Sequence, residues 1–159
     1  MKLQHLLIEK ASLPKTLYHA SAYDAKVLKP GFKHTHKLVK WDSGEDNHSL
    51  YATTDKQSAI ELGIASAIEH KFQLDRFSSH GNKITIVTPK EITLEQIGTL
   101  RVYLYAITVN GEQKWIKNHD ASNHLTTEFK TKEDITSFTK TKVDVKKWLA
   151  SKKITLSTT

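Results

Sequence analysis

Hydrophobic positions in this chain fall into two rhythms, one of helices and one of strands. Leu3, Leu6 and Leu7 stand at helical spacing ahead of Pro14, which predicts a short helix packing on the core near the start of the sequence. Thr16-Leu17-Tyr18-His19-Ala20-Ser21 then reads as a first strand, and Ser49-Leu50-Tyr51-Ala52-Thr53-Thr54 as a second. Asp55 follows as a helix N-cap. Behind it, Ile60, Ile64, Ala67 and Ile68 recur at i, i+4, i+7 and i+8 and bury one face of a helix running to about His70.

Lys83-Ile84-Thr85-Ile86-Val87-Thr88 reads as a strand that stops at Pro89, and residues 94–97 as a short helical turn. Residues 100–109 form the strongest strand signal in the chain. Asn110-Gly111 after it predicts a tight hairpin with a type I′ turn and a second arm over residues 112–116. Residues 126–130 and 139–145 look extended, and residues 145–151 close as a short helix around Trp148 and Leu149. Residues 26–40 hold five lysines, two histidines and no acid, the signature of a loop or exposed arm, and residues 41–48 are polar and turn-rich. Strands outnumber helices without alternating one for one with them. The expected fold is therefore α+β, as a single domain over residues 1–159, rather than a doubly wound sheet.

Composition narrows the function classes. The chain has no cysteine, which removes thiol nucleophiles, disulfides and cysteine-ligated zinc or iron-sulfur sites together. No apolar run approaches the roughly 18 residues that span a bilayer, and Gln4, His5 and Glu9 interrupt the stretch where a signal peptide needs its apolar core. A cytoplasmic protein without a membrane partner is the simplest expectation. The balance of 24 basic against 17 acidic residues gives a net charge of +7 and raises a nucleic-acid hypothesis. Only Arg76 and Arg101 carry the guanidinium fork that base and phosphate recognition favours, so most of the excess is lysine solvating a surface.

Several chemistries find no support. A dinucleotide fingerprint or phosphate loop needs glycines a few residues apart, whereas the nearest pairs here, Gly31 with Gly44 and Gly98 with Gly111, are 13 apart. His34 and His36, with His119 and His124, offer imidazoles, but no HExxH or carboxylate spacing accompanies them and no metal is expected. No GxSxG elbow favours a serine nucleophile.

Three segments stand out in order: Leu17-Tyr18-His19-Ala20-Ser21, Leu50-Tyr51-Ala52-Thr53-Thr54-Asp55 and Thr127-Glu128-Phe129-Lys130-Thr131. Together they resemble the ADP-ribosyltransferase superfamily, in the branch with a His-Tyr-Glu triad that includes diphtheria toxin and the poly(ADP-ribose) polymerases. The resemblance spans roughly residues 17–145 and implies a split antiparallel sheet with short flanking helices. It implies NAD as co-substrate, His19 bonding the adenosine-side ribose hydroxyl, Tyr51 stacking on nicotinamide, and Glu128 as the catalytic carboxylate. Backbone beside His19 is implied to hold the carboxamide, where the family usually has glycine and this chain has Ala20. Thr53 joins the cofactor-binding set through the Thr-Thr-Asp step that resembles the family's second strand.

The chemistry gives these residue types a reason. Cleaving the nicotinamide-ribose bond passes through an oxocarbenium-like state, which a nearby carboxylate stabilises. A tyrosine face stacks on a flat ring and excludes water. Glu133 is a second candidate carboxylate, and Glu128 is preferred because Thr126, Thr127 and Phe129 give it a strand context. Singly, His19 also fits an ordinary polar strand position, Tyr51 a core aromatic and Glu128 a solvated charge; their order favours the functional reading.

The leading expectation is an NAD-dependent transferase moving ADP-ribose to a protein or nucleic-acid acceptor, with the basic segment at residues 26–40 recruiting an acidic one. The alternatives are an RNA 2′-phosphotransferase-like enzyme, for which the resemblance calls for more arginines; a non-catalytic binder of NAD or ADP-ribose; and a basic nucleic-acid-binding module.

Overall fold

The computed structural model describes residues 13–31, 49–118 and 128–159. In chain order these form β1 (Thr16–Ser21), β2 (Leu50–Thr53), α1 (Lys56–Phe72), β3 (Arg76–His80), β4 (Lys83–Thr88), α2 (Leu94–Gly98), β5 (Tyr103–Thr108), β6 (Ile116–Lys117), β7 (Glu128–Thr131), β8 (Phe138–Lys142), α3 (Val145–Ala150) and β9 (Lys153–Thr158). The fold is α+β. A six-stranded antiparallel sheet runs β6-β7-β2-β1-β5-β8, and a three-stranded sheet runs β3-β4-β9, in which only the β4–β9 pair is parallel. No helix of the described residues is long and apolar enough to cross a membrane.

Sequence dictates most of these elements. The Asp55 carboxylate accepts the Gln57 amide at 3.1 Å and the Ser58 hydroxyl at 2.7 Å, so α1 starts at its expected cap. It ends at Gln73, where φ reaches 66°; the Gln73 amide donates to Glu69 O and the Leu74 amide to the Glu69 carboxylate. Thr93 and Gln96 form a reciprocal capping box at α2, and Asp144 caps α3 by accepting the Lys147 amide. The expected N-terminal helix and the imidazoles of His34, His36, His119 and His124 lie outside the described residues, as does most of the basic segment at residues 26–40.

The first sheet is buried on both faces. On one side Ile60, Ile64 and Ile68 of α1 join Ile84 and Ile86 of β4, Val102, Leu104 and Trp148 in the larger core cluster. On the other, Leu17, Leu50, Tyr105, Ile107, Trp115 and Ile135 form a smaller one. Helix α1 lies close to β1 because Gly63 faces Ala20. A Cβ built at Gly63 would stand 2.5 Å from Ala20 Cβ, far inside van der Waals contact.

The hairpin expected at Asn110-Gly111 does not form. Neither residue adopts positive φ. The Gln113 amide instead closes onto Asn110 O at 3.2 Å, the Glu112 amide onto the Asn110 side-chain oxygen at 3.0 Å, and β6 pairs with β7. The cause is competition for an edge: β1 occupies one side of β5 and β8 the other, so residues 112–116 have no free ladder beside it. Burial of Trp115, whose indole N–H donates to Gln113 Oε1 at 2.9 Å, fixes the alternative path. Strands β3 and β9 are additions to the expected set.

Candidate functional site

Three neighbouring strands carry the residues singled out by the sequence. Glu128 opens β7, Tyr51 and Thr53 lie on β2, and His19 and Ala20 lie on β1. Glu128 is in register with Thr53, and Thr53 with Tyr18, forming one row across the sheet. Between β1 and β2 that row is the only residue pair in register, against six pairs between β1 and β5. The two strands therefore splay. In the splay the ladder is replaced by a side chain, with His19 Nδ1 donating to Tyr51 O at 2.8 Å.

Alternation along the strands sorts the candidates by face. Tyr51, Thr53 and Glu128 share the face of Tyr18 and Ala20, which packs toward α1. His19 lies with Leu17 and Ser21 on the opposite face, in register with Tyr105, with ring centroids 6.2 Å apart. There it lines a small, partly open cavity of about 20 Å³ with Ser21, Tyr23, Leu28 and Leu50. The strand order thus brings the three motifs together, while the alternation divides His19 from the other two.

Each group has a defined electrostatic state. Burial pushes the His19 imidazole below its ordinary value, and the bond to Tyr51 O only partly opposes this. A carbonyl can only accept, so the proton sits on Nδ1 and Nε2 of the neutral ring is an acceptor. Glu128 is 3% exposed, and burial holds its carboxyl above the ordinary glutamate range. The Asn118 amide, donating to Glu128 Oε1 at 2.6 Å, and the Lys130 charge pull it back toward ionisation. Main chain reinforces the contact, since the Asn118 amide N also donates to Glu128 O at 2.9 Å.

Asn118 is the residue of this site that sequence reasoning misses. It is buried, and its Oδ1 has no hydrogen-bond partner among the described residues. A single Asn beside a short strand carries no motif, so nothing in the sequence marks it. Thr53 serves the backbone as well as the row, its hydroxyl oxygen accepting the Asp55 amide at 3.1 Å ahead of α1. The methyl of Ala20, where the resemblance leads one to expect glycine, occupies the space left by Gly63. Glu133, the second candidate carboxylate, lies away from this row and accepts the Lys114 amide at 3.2 Å. Among the described residues no three His, Asp or Glu side chains converge as metal ligands.

Comparisons with protein-family models, with curated proteins and with solved structures found no match to this chain.

Proposed function

We propose that the protein is an NAD-dependent ADP-ribosyltransferase, with Glu128 as the catalytic carboxylate and His19, Ala20, Tyr51 and Thr53 around the dinucleotide. The observation that carries this reading is the buried Glu128 carboxylate, oriented by Asn118 and standing in register with the strand of Tyr51 and Thr53. A carboxylate withdrawn from water interacts strongly with a developing oxocarbenium ion, because solvent screens it less. The neutral His19 ring, with Nε2 as acceptor, suits a ribose hydroxyl donor. Tyr51 supplies the aromatic face for nicotinamide. The reaction breaks the bond between nicotinamide and ribose C1, and an acceptor nucleophile forms the new bond at C1 as nicotinamide leaves.

A second reading, a non-catalytic binder of NAD or ADP-ribose, draws support from the alternation that turns His19 away from the face of Glu128. Transfer of labelled ADP-ribose from NAD into a fractionated cell lysate separates the two. Label in the protein or nucleic-acid fraction with the native chain but not with Glu128→Gln supports the transferase and identifies the acceptor class. NAD binding without label supports the binder, and neither binding nor label removes both.

A further inference from the structure

The two arginines of the chain have different surroundings. Arg76 opens β3, whereas Arg101 lies in a cleft of about 340 Å³ where the end of α2, the approach to β5, the end of β8 and the start of α3 meet. Lys142 and Lys146 line the same cleft, so Arg101 from the chain after α2 meets two lysines from the run that joins β8 to α3. All three are exposed, and among the described residues none makes an ion pair. Asp144 is the single acid in the lining, and its carboxylate is committed to capping α3 through the Lys147 amide at 3.1 Å.

The convergence is built rather than incidental. The Val143 amide donates to Val102 O at 2.8 Å, extending the β5–β8 ladder past its last strand residues and setting Lys142 beside the backbone that carries Arg101. Gly98 allows the stem of Lys146 to lie against the end of α2, since a Cβ there would stand 3.0 Å from Lys146 Cγ. Lysine on an edge strand such as β8 also guards against edge-to-edge pairing, which accounts for Lys142. It does not account for Arg101 or Lys146, which lie on no strand.

We infer that this cleft binds the phosphates of a single-stranded nucleic acid. A small phosphorylated metabolite is ordinarily held in an enclosed pocket by a few buried polar groups, and here every cation is exposed at an open cleft. Half-buried Tyr103, in register with Lys142, adjoins the cleft without lining it; its ring packs on the smaller core, with Lys140 Nζ, itself paired with Asp24, 6.0 Å from its centroid. Cations along a groove with an adjacent ring are the combination that holds single strands without reading their sequence. The net charge of +7 adds long-range attraction for such a polyanion. This inference stands independently of the transferase reading.

The test is fluorescence anisotropy with labelled oligothymidylate across a salt series, without NAD. The native chain is compared with the triple variant Arg101→Gln, Lys142→Gln, Lys146→Gln and with a control that loses the same charge from the three-stranded sheet and its flank, Lys83→Gln, Lys90→Gln, Lys153→Gln. All six positions are exposed, and a thermal melt of each variant checks that it is folded. Binding should weaken at least tenfold in the cleft variant, and the slope of log K against log salt should fall by about 2, the effect of losing three phosphate contacts on a single strand. The control should change less than twofold. Equal losses in both variants, no binding by the native chain, or tighter binding of duplex than of single strand would overturn the proposal. So would displacement of the oligonucleotide by inorganic phosphate too dilute to act through ionic strength, the mark of a small-anion site.

Discussion

Asn118 and Glu128 hold each other twice, side chain to side chain at 2.6 Å and main chain to main chain at 2.9 Å, across the short β6–β7 pairing. The arrangement fixes the carboxylate in a buried position where its neighbours govern its charge.

For transfer activity the expected outcome of Glu128→Gln is a fall in kcat of at least a hundredfold, with NAD affinity changed by less than threefold. The glutamine keeps the shape and the Asn118 contact but loses the charge that opposes the oxocarbenium ion. Single-turnover transfer and equilibrium NAD binding measured on the same preparation check it. A parallel loss in both would indicate a binding role for Glu128.

The pH profile follows from the same pair. Burial raises the Glu128 carboxyl and Asn118 lowers it, so the acid limb of kcat should lie above the ordinary glutamate range. Asn118→Ala removes a hydrogen bond to the charged form and should move that limb to still higher pH. A limb that stays in place in the variant would show that another group titrates there.

Stability should vary with pH in the opposite sense to activity. A carboxyl raised in the folded state binds its proton more tightly there than in the unfolded chain, so its contribution is full below the unfolded value and is lost as pH rises through the folded one. Glu128→Gln, which cannot ionise, should therefore have the higher urea midpoint at neutral pH. The difference should disappear in acid below the ordinary glutamate range, and chemical denaturation at both ends of that interval tests it.

Two backbone positions make predictions of opposite sign. Gly63→Ala improves helix propensity by about 1 kcal/mol, yet its methyl would meet Ala20 Cβ at 2.5 Å, and overpacking of that kind costs about 1–3 kcal/mol. Net destabilisation is expected, relieved in the double variant with Ala20→Gly. Gln73 holds φ 66° and ψ 153°, a region that suits glycine. Gln73→Gly should raise stability by about 1 kcal/mol in urea unfolding, since the strain there is on the order of 1–3 kcal/mol.

Legibility in the sequence followed how local each cause was. Strand β1 and helix α1 were readable because their causes are local: β1 is a short run of strand-forming residues around Leu17 and Tyr18, the isoleucines of α1 recur at the helical period, and Asp55 is a local cap. Strand β3 has Phe77 as its one apolar residue, so its period is invisible, although Gly81 at φ 64° marks the turn into β4. The Asn110-Gly111 hairpin failed for a non-local reason, the occupation of both edges of β5. At the candidate site, the order of His19, Tyr51 and Glu128 was legible because it is an order of strands. The face each occupies depends on register, and the Asn118 contact depends on a strand pair of two residues, neither of which composition or spacing reveals.

The parallel pairing of β4 with β9 has a kinetic meaning. It joins Lys83 to Lys153 and Thr88 to Thr158, residues 70 positions apart, whereas the β3–β4 hairpin and α1 are assembled from neighbours. Closing a segment of that length delays contact formation relative to local elements. Ile84 and Ile86 thus wait, already presented by the hairpin, for Ile154 and Leu156 to complete the cluster they share. The same delay applies to the β1–β5 and β2–β7 pairs, but until β9 arrives the outer edge of β4 stays unpaired, and an unpaired edge is where a partly folded chain is open to capture by another.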